Sequence, residues 1–372
     1  MSKLDELIQK LCPNGVEYKQ IRNIATVSIG EFVHKNKQND NALYPVYNGG
    51  ISNTGYYEEF NNTANKIIIS ARGANAGFVN RVLENYWAGN SCYTVDVIDK
   101  CVDWNYVYYA LKNWQHRFLD QQQKGGIPAV SKKQVEQFTI PVPPLEVQCE
   151  IVRILDNFTE LTAELTAELT ARKKQYEYYR DTLLTFDDTV PLLKIGSCCK
   201  LVVGGDVPKD RYSKDKTEQF TVPIYSNGYE DKALYGYTDI EKITVDSVTI
   251  AGRGVGVGYC ALRKAPYYPI IRLICAIPNT QILTADYLKY AVQCIEFKIP
   301  TGGIPQLTSP MVADYEIPVP PLAEQERIVS ILDRFDALCN DISIGLPAEI
   351  EARQKQYEYY RDKLLTFKEK TA

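Results

Sequence analysis

Histidine is nearly missing from this sequence: only His34 and His116 occur in 372 residues. A histidine-based zinc site or a Ser-His-Asp triad therefore has very little material. The chain also contains no N-P-P-Y or D-P-P-Y of adenine methylation, no G-x-x-x-x-G-K-[ST] phosphate loop and no H-E-x-x-H. The glycine-rich run Gly252-Arg253-Gly254-Val255-Gly256-Val257-Gly258 is only superficially like a dinucleotide loop, because the acidic residue and βαβ frame of that motif are missing. No window approaches the roughly 18 uncharged apolar residues of a membrane span. The opening MSKLDELIQKLC is charged and amphipathic rather than a signal peptide, so the expectation is a cytoplasmic protein with no membrane partner. Ten cysteines are scattered along the chain, and the one close pair, Cys198 and Cys199, is adjacent rather than spaced C-x-x-C, which favours reduced, mostly buried thiols over a disulfide scaffold.

Strong charge of one sign is lacking too. The formal net charge is −4, with five basic against eight acidic residues over 145–186 and eight against ten over 321–372, which leaves the rest of the chain near +1. Such a balance neither supports nor excludes DNA, since a local basic face can sit on a near-neutral domain.

What the chain does have is one plan written twice. IPVPPLEVQCEIVRILD (140–156) and IPVPPLAEQERIVSILD (317–333) agree at 12 of 17 positions, and QYEYYRDTLLTF (175–186) and QYEYYRDKLLTF (356–367) at 11 of 12. Fainter echoes lie upstream of each copy. Tyr-Pro-Val-Tyr at 44–47 is similar to Val-Pro-Ile-Tyr at 222–225, Gly-Gly-Ile-Pro recurs at 125–128 and 302–305, and Ala71-Arg72-Gly73 with Gly77-Phe78 is similar to Gly252-Arg253-Gly254 with Gly258-Tyr259. A variable segment and a near-constant segment thus alternate. Near-constant parts suit identical partners, and variable parts suit two different targets.

The near-constant segments carry apolar residues at helical spacing after the prolines 141, 143 and 144: Ile151, Leu155, Phe158, Leu161, Leu165, Leu169, Tyr176, Tyr179 and Leu183, repeated as Ile328, Ile331, Phe335 and onward to Tyr357, Tyr360 and Leu364. Such long runs predict two long helices packed antiparallel as a coiled coil, the second broken or kinked at Gly345 and Pro347. Glu160–Ala171 is a tandem ELTA repeat. Each unit would add about 6 Å of helix, which makes the repeat a length module or simply a solvated helix. The variable segments hold short β-rich runs at 66–70, 93–98, 247–251 and 272–277, with helical stretches at 104–119 and 285–297. The fold class expected is α+β, two domains alternating with two long antiparallel helices in a pseudo-twofold internal repeat.

For DNA contact, Arg72 and Arg253 are the leading pair. Each follows a strand-like run in a glycine-rich turn, where an exposed guanidinium could fork onto guanine O6 and N7; a structural role holding loop carbonyls or carboxylates fits as well. Asn75 and Lys124 lie in the same loops and suit a base edge and a phosphate respectively, with Lys35, Lys37, Lys132 and Lys133 as weaker phosphate candidates. Ser131 and Thr308 follow the Gly-Gly-Ile-Pro loops and would either bind phosphate or cap a following helix. Tyr47, Tyr56, Tyr57, Tyr225, Tyr229, Tyr235 and Tyr237 could stack on bases or be half-buried strand residues.

The PVPPL-x-x-Q-x-x-IV-x-ILD segments, the QYEYYRD-x-LLTF helix ends and the GGIP loops, each present twice and in order across the whole chain, closely resemble the specificity subunits of type I restriction-modification systems. The resemblance implies target recognition domains at 1–143 and 187–320, and conserved helical regions at 144–186 and 321–372. Each recognition domain would read one half of a bipartite site in double-stranded DNA. The helices would hold two modification (methyltransferase) subunits, with Tyr176, Tyr179, Tyr357 and Tyr360 as partner-binding residues, and restriction subunits would join to cleave unmodified DNA. The chain itself would be non-catalytic and carry no cofactor, leaving S-adenosylmethionine, ATP and Mg to the partner subunits. Two alternatives stand beside this reading: a stand-alone coiled-coil DNA-binding or scaffold protein with no enzyme attached, and a self-contained restriction-modification enzyme, whose methylase and nuclease domains would need several hundred more residues.

Overall fold

The computed structural model describes residues 3–118, 127–254, 256–299, 306–341 and 343–370. The chain divides into two compact units, Met1–Thr166 with Glu349–Ala372, and Ala167–Ala348.

The first unit contains α1 (Lys3–Leu11), β1 (Glu17–Gln20), β2 (Ala25–Ile29), β3 (Tyr44–Tyr47), β4 (Gly55–Tyr57), β5 (Lys66–Ser70), β6 (Val79–Val82), β7 (Trp87–Ala88), β8 (Cys92–Val97), α2 (Trp104–Asn113), α3 (Lys132–Gln137) and β9 (Thr139–Val142), and the start of α4 (Leu145–Leu183). Strands in the order β2-β8-β5-β6 form an antiparallel sheet, and β4-β3-β7 a smaller one in which β3 and β7 run parallel. β5 shows why its sequence, KIIIS, is continuously apolar rather than alternating. Ile67 and Ile69 face a core shared with Val107, Ala110 and Leu111 of α2, while Ile68 faces a second core with Val82, Tyr86 and Cys92. Burying each such isoleucine contributes roughly 1.5–3 kcal/mol.

The second unit repeats this plan. It holds the end of α4, then β10 (Leu192–Lys194), α5 (Ile195–Cys198), β11 (Cys199–Val203), β12 (Tyr212–Ser213), β13 (Val222–Tyr225), β14 (Leu234–Thr238), β15 (Ser247–Ile250), β16 (Cys260–Arg263), β17 (Tyr268–Pro269), β18 (Ile274–Pro278), α6 (Ala285–Gln293), α7 (Ser309–Asp314), β19 (Glu316–Pro318) and α8 (Leu322–Asn340). The order β11-β18-β15-β16 matches β2-β8-β5-β6, and the parallel pair β13–β17 matches β3–β7. β15 repeats the double burial: Val248 and Ile250 belong to the main core, and Thr249 is buried between them. The internal repeat and the α+β class read from the sequence are thus both present.

α4 is a single helix of 39 residues. In the first unit its start clusters through Val147, Ile151 and Leu155 with Leu4, Cys12, Val16 and, from α9 (Leu346–Leu365), Leu365; Phe158 stacks on Tyr360 at 5.7 Å. In the second unit its end packs through Tyr176 and Leu183 on the core that holds Ile328 and Leu332 of α8, and Tyr179 stacks on Phe335 at 5.4 Å. In each unit the start of one helical segment meets the end of the other, so the pairing is antiparallel. Residues 3–16 join this helical cluster rather than the four-stranded sheet, and Val16 pairs with Glu369.

The break expected at Gly345 and Pro347 falls between α8 and α9. A Cβ on Gly345 would lie 2.5 Å from the Ala337 carbonyl oxygen, and Pro347 occupies the first turn of α9, where its missing N–H costs nothing. Three expected elements shift. The helix foreseen over 104–119 ends at Asn113 and is followed by a 3-10 turn over Gln115–Phe118. The helix foreseen over 285–297 stops at Gln293, because Phe297 turns back to pack on Tyr315 at 5.0 Å and against Gly258. The strand foreseen over 272–277 is Ile274–Pro278, since the ladder begins where Ile274 pairs with Ile250.

Candidate nucleic-acid interface

The four-stranded sheet of each unit ends an inner strand in a similar arginine turn. After β5, Ala71 donates its N–H to the Ser91 carbonyl at 2.8 Å, and Gly77 donates to the Ser70 carbonyl at 2.8 Å. Gly73 (φ +92°) and Gly77 (φ +83°) supply left-handed backbone that a side chain would strain. The segment after the first Gly-Gly-Ile-Pro loop then lies along the turn: Gly73 donates to the Pro128 carbonyl and Val130 to the Ala71 carbonyl, both at 2.9 Å, with Arg72 opposite Ala129. After β15 the pattern recurs through Gly254 (φ +85°), Gly258 (φ +88°), the Leu307 N–H donated to the Gly252 carbonyl at 2.9 Å, and Arg253 opposite Gln306. The recurrence of the Arg-Gly turn and the GGIP loop in the sequence thus has one cause: the loop's exit segment docks on the turn.

Arg72 and Arg253 are both exposed. Arg253 Nη2 donates to Gln306 Oε1 at 3.4 Å. Asn75 is exposed beside a cavity of about 300 Å³ lined with Gln115 and His116. Lys124 lies outside the described residues. Ser131 and Thr308 occupy N-cap positions. Ser131 accepts the Gln134 N–H at 3.2 Å in a capping box, and Thr308 accepts the Met311 N–H at 3.5 Å. Thr308 and Arg253 share a second cavity of about 200 Å³, also lined by Gln306 and Arg272.

Arg272 escaped the sequence reading because it sits at the head of a strand-like run. The structure puts it just before β18, at φ +64°, exposed and beside Arg253 in that cavity.

The other candidates scatter. Lys35, Lys37 and Lys133 are exposed, and Lys132 pairs with Glu136 at 3.5 Å. Tyr47 packs edge-on to Tyr86 and Tyr57 to Trp87; Tyr225 packs on Tyr267 beneath the Arg263 guanidinium. Tyr56, Tyr229 and Tyr235 are exposed, and Tyr237 is half-buried.

A matched joint ties the sheet domain of each unit to its helix. Gln148 of α4 accepts the Asp103 N–H at 2.8 Å and donates to the carbonyls of Cys101 and Pro143. Tyr106 donates to the Pro141 carbonyl at 3.0 Å, and Tyr109 to Asp156 at 2.6 Å. Arg81 reaches the same carboxylate at 3.0 Å. In the second unit Gln325, Tyr287 and Tyr290 repeat these bonds with Thr284, Ile282, Pro320, Pro318 and Asp333. On the helices, burial against their own units raises the Tyr176 hydroxyl and pushes that of Tyr357 up to about 12. Tyr179 and Tyr360 are partly exposed, and the most open members of the repeat are Tyr178 and Tyr359, 67% and 63% exposed.

Comparison with known proteins fits this duplicated architecture. The family model described as type I restriction modification DNA specificity domain matches twice, over residues 13–172 and 190–352. The specificity subunit of the type I restriction enzyme EcoR124I/EcoR124II from Escherichia coli is 37% identical over 287 residues, 70% of each chain. Among solved structures, the S subunit of a type I restriction-modification system from Mycoplasma genitalium aligns with a TM-score of 0.66 at 18% identity, covering 94% of this chain and 96% of that one. A chain from a structure concerned with assembly and conformational transition of the type I system aligns with a TM-score of 0.58 at 15% identity, covering 95% and 98%. The chain belongs to the specificity subunits of type I restriction-modification systems, proteins of DNA sequence recognition. Among the described residues, no helix is long and apolar enough to cross a membrane.

Proposed function

We propose that each unit reads one half of an asymmetric bipartite DNA site, with the turns at Arg72 and Arg253 entering the major groove, and that the helical segments hold two methyltransferase subunits. The chain is then non-catalytic. It directs adenine methylation, and restriction once restriction subunits join, while S-adenosylmethionine, ATP and Mg are bound by those partners.

The observation that carries this reading is the pairing of sameness with difference. Both units present an exposed arginine on a similarly built turn, yet the surroundings differ: Asn75 follows Arg72 in the first loop, whereas Gln306 and Arg272 line one cavity with Arg253. An arginine fork on guanine is the commonest specific major-groove contact, and different neighbours would select different bases.

Methylation sequencing of DNA from cells with and without this chain, each expressing the neighbouring methyltransferase, tests it. A new methylated motif of two unlike half-sites around an unread spacer is expected. Replacing residues 187–316 by another recognition domain should change one half-site, and a change in both would sink the modular reading.

A further inference from the structure

Two arginines, Arg253 and Arg272, line the cavity of the second unit, and no carboxylate lines it among the described residues; its other polar wall residues are Gln306, Thr308 and Ser309. Two exposed cations with no counter-charge on the wall make this stretch of surface positive, as an anionic or acceptor-rich ligand requires. Arg272 also adopts a backbone conformation that non-glycine residues rarely take, at φ +64° directly after Ile271 at φ +53°.

The surroundings hold it there. The Ile271 N–H bonds the Gly205 carbonyl at 2.7 Å, and the Arg272 N–H bonds the Gly204 carbonyl at 3.2 Å. Asn227 spans both arginine loops, accepting the Gly252 N–H at 2.8 Å and donating to the Ile271 carbonyl. A Cβ on Gly252 would lie 3.0 Å from the Arg272 carbonyl oxygen, so the two loops touch backbone to backbone. In the first unit the segment leading into β8, Gly89-Asn90-Ser91, carries no arginine.

From this geometry we infer that Arg272 is a specificity-determining residue: with Arg253 it forms a paired guanidinium reader that fixes a guanine in the half-site of the second unit, a feature the first unit's half-site does not share. The inference rests on the reading of the units as DNA-recognition domains. Paired arginines on a braced backbone suit the O6 and N7 acceptors of guanine, and Gln306 beside them suits an adenine edge. A phosphate would be served as well by a flexible lysine and would need no strained, doubly braced loop.

The test is selection from randomised duplex DNA by the full chain in complex with its methyltransferase, comparing wild type with Arg272→Asn and Arg272→Lys. Asparagine tolerates the left-handed conformation, so the fold should survive, and an unchanged thermal midpoint checks that. The expected result is a wild-type motif with a guanine in one half-site. Both variants then lose discrimination at that single position, roughly ten- to a hundredfold, and leave the other half-site untouched. Uniformly weaker binding with an unchanged motif, and a salt dependence shallower by about one counterion, would make Arg272 a phosphate contact and overturn the inference. An unchanged motif with unchanged affinity overturns it equally. A wild-type complex that selects no motif at all would instead remove the DNA-recognition reading beneath it.

Discussion

Gln148 and Gln325 make the same three hydrogen bonds in their two units, each accepting a backbone N–H at a helix start and donating to two backbone carbonyls. Both are fully buried. Leucine at either position leaves one N–H and two carbonyls unsatisfied inside the protein, at roughly 1–3 kcal/mol for each buried group. Gln148→Leu and Gln325→Leu should therefore each destabilise the chain by about 3 kcal/mol or more in denaturant unfolding. A loss under about 1 kcal/mol would mean that water reaches the joint.

The repeated tyrosines divide by exposure. Tyr176 and Tyr357 pack into their own units, and Tyr178 and Tyr359 stand open. Tyr176→Ser and Tyr357→Ser should lower stability by about 3 kcal/mol each, as removal of a packed aromatic does. Tyr178→Ser with Tyr359→Ser should leave the melting temperature in place and weaken co-purification of the methyltransferase. Full retention of the partner by that double variant would place the docking face elsewhere on the helices.

Acid should loosen the first unit through Glu150. Its carboxylate is 5% exposed and accepts from Arg153 at 2.6 Å and from Lys3 of α1 at 2.9 Å. The Arg153 hydrogen bonds, then that of Lys3, hold its pKa at about 2. An unfolded glutamate titrates near about 4.3. Because the folded value is the lower one, the stabilisation is complete above that pH and is lost as pH falls towards 2. Thermal midpoints measured across that window should fall more steeply for the wild type than for Glu150→Gln, and parallel curves would refute the assignment.

The ELTA run in α4 gives a prediction on DNA. One inserted unit adds about 6 Å of helix, equivalent to one to two base pairs at about 3.4 Å each. Methylation sequencing of an insertion variant should return the same two half-sites with a longer unread spacer; an unchanged spacer would leave the repeat as a plain solvated helix.

Sequence was most informative where the determinant is local. The break at Gly345 and Pro347 follows from two residues that cannot continue a helix. The capping box at Ser131 follows from glutamine three positions on. Periodicity located the helices but could not say which tyrosines face inward, since Tyr176 and Tyr178 differ only in what packs beside them. Arg272 was illegible for a stricter reason. Its left-handed backbone is fixed by partners distant in sequence, Gly204, Gly205 and Asn227, so a strand-like composition hid a loop residue.

The joint between sheet and helix has an evolutionary side. Every atom that Gln148 or Gln325 grips is main chain. The side chains that both units share at this joint are therefore few: the tyrosine pair and a capping residue, Asp103 or Thr284. The exposed loops away from the joint are left free to drift while each domain keeps its own core, and a foreign domain that brings two tyrosines and a cap could be plugged in by recombination. New DNA targets would then arise by exchange of cassettes, without renegotiating the contacts that hold the machine together.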